Sequence, residues 1–132
     1  MSDSVVNTTV FGGTKRHVVH LSNISDGTGE SAVVKVDVST LTGPDGSAPT
    51  SVVVEKLEYE TSGMDVRLYW DATTNDLIVA LGTDREGTKD WSKAGGRVDP
   101  KSTGTTGDIV LTTVGHTSGD YYDITLWCRL KD

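Results

Sequence analysis

Apolar and polar residues alternate most cleanly near the C-terminus, where Tyr122, Ile124, Leu126, Cys128 and Leu130 interleave with Tyr121, Asp123, Thr125, Trp127 and Arg129. Successive side chains of a strand point to opposite faces, so this period of two predicts a strand with one buried face and one wet face. The same reading holds for DVRLYWD, where Val66, Leu68 and Trp70 oppose Arg67 and Tyr69, and for SAVVKVDVS, where Val34, Val36 and Val38 alternate with Lys35 and Asp37. HVVHLSNI, LIVALG and IVLTTVGH are shorter, more continuously apolar runs that also read as strands. SVVVEKLEYE is a strand with a fault: Glu55 shares a face with Val53, Leu57 and Tyr59, which predicts a shift of register at a bulge.

Between these runs lie turn signals. Pro44, Asp45 and Gly46 follow one another in turn order, and TSGM, ATTND and TSGD punctuate the later strands. A polar stretch over residues 83–108 reads as a long loop. No amphipathic helical period and no internal repeat is present. The pattern therefore predicts an all-β fold, an antiparallel β-sandwich of jelly-roll or immunoglobulin-like type with seven or eight strands. Residues 1–13, polar and ending in glycine, are expected to form an extended N-terminal arm, and residues 14–132 a single sandwich domain.

Composition sharpens this picture. With 15 Gly and 35% hydrophobic residues in 132, the core must be thin and the connections tight. A formal charge of −7 repels a nucleic-acid backbone, so direct nucleic-acid binding is not expected. The single cysteine, Cys128, has no internal disulfide partner. The N-terminal residues lack the basic start and apolar run of a secretory signal, and no stretch is apolar enough to span a bilayer, so folding in a cytoplasm is the expectation.

Candidate chemistry is sparse. Asp26, Thr28 and Glu30 in SDGTGES start like a calcium loop, but Ser39 stands where the closing carboxylate would be needed. Gly27 and Gly29 precede no helix, so this is a polar turn rather than a phosphate cradle. His17 and His20 are three residues apart, which on a strand sends them to opposite faces, and His116 lies in a turn. Ser31 is outside any nucleophile elbow, and the carboxylate pairs Asp65 with Asp71 and Asp84 with Glu86 are what an acidic chain supplies by chance. Asn7 and Asn23 sit in glycosylation sequons without a signal to make them matter. No catalytic residue, metal ligand or cofactor site is expected. The aromatic residues say more: Tyr121 and Trp127 fall on the wet face of their strand and Trp91 in the polar stretch, as in a protein interface or, alternatively, a carbohydrate-binding face.

Three segments, FGGTKRHVVHLSNISDGTGESAVVKVDVSTLTG, VEKLEYETSGMDVRLYWDATTNDLIVAL and TGTTGDIVLTTVGHTSGDYYDITLWCRLKD, resemble a family of small structural proteins of tailed bacteriophages. The resemblance runs from about Phe11 to the C-terminus and rests on turn and strand signatures, not on catalytic motifs. It implies a non-enzymatic virion component, assembled in the host cytoplasm, most readily a capsid decoration protein that binds the outer shell and stabilises the head. A neck, tail or baseplate adaptor is the alternative within the same family, and a carbohydrate-binding module the one outside it. The implied partners are the major capsid protein or other virion proteins and further copies of the chain. Contacts are expected from the arm, at Val5, Val6, Val10, Phe11 and Lys15, from the loop at Asp26 and Glu30, and from Trp91, Tyr121 and Trp127.

Overall fold

The computed structural model describes residues 4–13, 15–25, 27, 29–100, 102–115 and 117–131, with the backbone alone described at residues 4–6 and 11. Nine strands are formed among these residues: β1 (Ser4–Gly12), β2 (Arg16–Ile24), β3 (Val33–Val36), β4 (Ser51–Ser62), β5 (Asp65–Trp70), β6 (Asp76–Leu81), β7 (Glu86–Asp90), β8 (Ile109–Val114) and β9 (Tyr121–Lys131). They make two antiparallel sheets, a five-stranded one in the order β1-β2-β9-β4-β7 and a four-stranded one in the order β3-β8-β5-β6.

From β2 onward the eight strands wind as a jelly roll. The first, eighth, third and sixth of them lie in the larger sheet, and the second, seventh, fourth and fifth in the smaller. The expected β-sandwich is therefore present, in its jelly-roll rather than its immunoglobulin-like form. β1 is an addition, paired along β2 from Ser4 opposite Ile24 to Gly12 opposite His17. Ser4–Gly12, within the residues expected as an extended arm, are thus the outermost strand of a sheet. Their lack of charge and of a sharp apolar alternation hid a strand that needs only one neighbour to satisfy half of its backbone groups.

The core lies between the sheets and follows the alternation read from the sequence. Tyr122, Ile124, Leu126, Cys128 and Leu130 of β9 meet Val66, Leu68 and Trp70 of β5 and Ile109 and Leu111 of β8, all of them buried. Each such side chain contributes about 1.5–3 kcal/mol by leaving water. The bulge expected at Glu55 is present, because the β4–β9 register shifts between Val54 and Lys56. Val54 and Leu57 can thereby both enter the core, while Glu55 turns outward to Arg16 and Arg129.

β7 was hidden in the polar stretch for a physical reason. Its five residues, EGTKD, are all exposed although they pair with Lys56–Glu60 of β4. A strand at the margin of the larger sheet, with water on both faces, has no hydrophobic alternation to display.

Candidate interaction site

Side chains of alternating residues on β2, β9, β4 and β7 build the outer face of the five-stranded sheet. The register sets Val18, Trp127, Lys56 and Asp90 in one row, His20, Thr125, Glu58 and Thr88 in the next, and Ser22, Asp123, Glu60 and Glu86 in a third. Lys56 stands over the Trp127 ring with its ammonium 4.9 Å from the ring centre, a cation–π contact. At the far end of β9 the Tyr121 hydroxyl donates to Glu60 at 2.8 Å, and that bond to a carboxylate, reinforced by its charge, holds the phenol above its ordinary pKa. Trp127 and Tyr121 therefore share a face, as expected, but they lie six positions apart on β9, about 20 Å.

Charge along this face is polarised. Arg16, Lys56, Arg129 and Lys131 gather at one end around Glu55 and Asp90. Glu58, Glu60, Glu86 and Asp123 occupy the middle and the other end, where His20 bonds Asp123 at 2.7 Å. Trp91 is elsewhere: it follows β7, packs half-buried against the core, and has the Arg97 guanidinium 4.8 Å over its ring. One face of each of these two indoles is covered by a cation, and the three aromatic residues do not come together in one groove.

The other predicted contacts are distributed as follows. Val10 lies at the β1 bulge between Thr9 and Phe11 and is 61% exposed. Val5, Val6 and Phe11 belong to β1, and their side chains lie outside the described residues, as do Asp26 and His116 entirely. Lys15 is exposed, and its carbonyl accepts from the Leu130 N–H at 2.8 Å. Beside β1 a groove of about 690 Å³ opens toward β3, lined by Asn7, Thr9, His17, Lys35, Asp37 and Thr40 among others. Asn7 spans it, donating to the Lys35 carbonyl at 2.9 Å.

Glu30 corrects an expectation. It is not an acidic tip offered to a neighbour, for it is buried. Its carboxylate accepts from Tyr122 at 2.6 Å and from Asn23 at 2.8 Å, and it pairs with the Lys35 ammonium at 2.6 Å. The Glu30 N–H donates to the Thr113 hydroxyl at 2.9 Å, tying the loop to β8. Within the loop Gly27 and Gly29 are left-handed, and Ser25 receives the Gly27 N–H at its hydroxyl. This buried network was not legible because Tyr122 and Thr113 are brought to Glu30 only by the fold.

The remaining candidates have structural partners. Asp84 and Asp65 accept from Gly63 and Thr83 beside the β4–β5 turn, and Asp71 accepts from Thr106. Asn23, in a sequon, is fully buried. No group of three or more His, Cys, Asp or Glu among the described residues could hold a metal. Burial raises the Cys128 thiol to about 12, which makes it inert.

His17 and His20 face opposite ways, as the odd spacing predicted: His17 opposes Cys128 on the inner side and His20 opposes Thr125 on the outer. Burial lowers the His17 pKa below 6.5. The unfolded chain then binds the proton more tightly, so this residue's contribution is whole above about pH 6.5 and is lost as the pH falls through its folded value. Urea unfolding from pH 8 to pH 5 is expected to show that loss, and His17→Gln to flatten it.

No family model matches the chain, and no curated protein matches it. Among solved structures the chain is similar to a cupin superfamily protein from Desulfitobacterium hafniense DCB-2, at 9% identity and a TM-score of 0.37, over 100% of this chain and 82% of that one. A likeness that weak carries nothing about function; the jelly roll described above rests on the strand ladders themselves.

Proposed function

We propose that this chain is a structural protein of a tailed-bacteriophage virion, a decoration protein that binds the outside of the head shell through the open edge of β1. It acts by binding, not by catalysis. The observation that carries the reading is the undefended edge. β1 is nine residues long, SVVNTTVFG, with no charge and no proline, and β2 is its one ladder partner among the described residues.

Sheet edges are ordinarily blunted because unpaired N–H and C=O groups recruit other strands. The remaining edges here follow that rule: β7 carries Glu86, Lys89 and Asp90, β3 is four residues long and bulged at Lys35, and β6 is six residues long and opens with Asp76. An edge left open on one side only is suited to receive a strand from a partner, with main-chain bonds for affinity and side-chain pockets for specificity. The groove between β1 and β3 lies beside that edge and supplies such a pocket.

The resemblance of the turn and strand signatures to phage structural proteins supports a shell subunit as the partner. Binding only the expanded shell would hold that state by the free energy of binding, and many copies together would make it hard to open. The test is quantitative mass spectrometry of purified particles with heads and tails separated. Copies comparable in number to the capsid protein in the head fraction are expected. A few copies confined to neck or tail would replace decoration by the adaptor role, and absence from particles would overturn the virion reading.

A further inference from the structure

The groove between β1 and β3 has a one-sided chemistry. β1 turns Asn7, Thr9 and Gly12 toward it, because they pair with the inward residues Leu21, Val19 and His17 of β2. A strand added to the free edge of β1 continues the same alternation, so every second one of its side chains points into the mouth of the groove. What the groove offers such a side chain is acceptors. His17 lines it and is only 7% exposed, yet no residue among those described bonds its ring nitrogens. Gly12, opposite it on β1, has no side chain to cover the ring. Burial lowers the His17 pKa, so near neutral pH the ring is uncharged and one nitrogen accepts. Asn7 donates its amide N–H to the Lys35 carbonyl, which leaves its amide oxygen unbonded among the described residues.

Charge points the same way. Among the described residues that line the groove, the charged ones are Lys35 and Asp37. The Lys35 ammonium is already held by Glu30. One oxygen of Asp37 accepts from Ser39, and the other has no partner among the described residues. Burial first, and the nearby charge of Asp37 after it, raise the Asp108 carboxyl above its ordinary pKa, so the neighbour of Asp37 is an acid. We infer that the shell strand received by β1 carries a lysine or arginine and seats it in this groove, against Asp37 and His17. The inference rests on the reading of β1 as the edge that binds the shell, and it names what that strand presents. A cationic donor satisfies acceptors that an apolar side chain would bury unpaired, and Asp37 repels an acidic one.

Two measurements on the full chain test it. The first is a backbone-amide NMR titration with the capped pentapeptide Thr-Val-Lys-Val-Thr, and with the same peptide carrying norleucine or glutamate at its centre. The lysine peptide is expected to shift the amides of β1 and of Asp37 and to bind at least about tenfold more tightly than the norleucine one. Asp37→Asn keeps the acceptor for Ser39 and should abolish that preference. Gly12→Leu should block the groove: the Gly12 φ lies outside the left-handed region, and an added Cβ meets only Thr9 Cγ2, at 3.4 Å. Circular dichroism and urea unfolding confirm that each variant is folded. A lysine peptide bound no better than the norleucine peptide, or a preference that survives in Asp37→Asn, would overturn the inference. The second is co-sedimentation with expanded heads that lack this protein. Asp37→Asn should bind about tenfold more weakly, while Glu86→Gln, the same change of charge on β7, should bind as wild type does. Heads that take up Asp37→Asn as well as wild type would overturn the groove contact and leave the edge reading standing. Heads that take up no wild-type chain would overturn the shell reading, and with it this inference.

Discussion

Glu30→Ala is expected to cost about 3–5 kcal/mol, the range for breaking a buried ion pair from one side. The side chains of Lys35 and Glu30 are only 2% and 4% exposed. Removing the carboxylate leaves the ammonium in the interior without its counter-charge and takes an acceptor from Tyr122 and from Asn23. Set against a whole stability of about 5–15 kcal/mol, that loss is a large part of the total. Urea unfolding should show a lower midpoint with little change in slope. Adding Lys35→Met to Glu30→Ala should restore part of the loss, because a well-packed apolar pair can replace a buried ionic one. A cost below about 1 kcal/mol for Glu30→Ala would mean that the pair is effectively solvated and does not anchor the loop to β3.

Gly107→Ala comes second. Gly107 has a left-handed φ of +84° two residues before β8, and a Cβ there would run into the carbonyl oxygen of Thr50, with the Thr50 carbonyl carbon at 3.0 Å and the Ser51 Cα at 3.3 Å. Every one of those atoms is backbone, so nothing can rotate away, and the start of β4 would have to shift. We expect a loss of about 2–4 kcal/mol, the sum of left-handed strain and displaced packing. Gly46→Ala is the control: its φ is +88° but no atom lies within 4 Å of the added carbon. It should lose only the conformational part, about 1–2 kcal/mol. Thermal unfolding of both variants separates the two causes, and equal losses would show that the close approach to Thr50 is not tight.

What the sequence discloses of this fold is what alternation can encode. β9, β5 and the bulge in β4 were legible because burial on one face leaves a period of two, and the charge of Glu55 breaks that period where the register shifts. β7 was not legible, because all five of its residues are in water. β1 was not, because an edge strand answers to its neighbour rather than to the core.

The same division runs through the site. The outward placement of Trp127 and Tyr121 follows from their positions on β9. The partners that decide their environment, Lys56 and Glu60, stand on β4 and are brought beside them only by the ladder. Glu30 reads locally as a turn residue, and its burial depends on Tyr122, which lies 92 residues away. The β1 edge is a property of absence, no charge and no proline over nine residues, which acquires meaning only once the strand is known to lie outermost.

In the proposed function this undefended edge is where the shell is bound. Thr8 and Val10 are exposed on β1, and replacing both by lysine gives the edge the protection it lacks while leaving the core untouched, at a stability cost within about 1 kcal/mol. The direct measurement is co-sedimentation of wild-type and Thr8→Lys/Val10→Lys chains with expanded heads that lack this protein. The folded variant is expected to bind at least about tenfold more weakly, the effect of about 1.4 kcal/mol lost at the contact. Binding equal to wild type by a fully folded variant would contradict it.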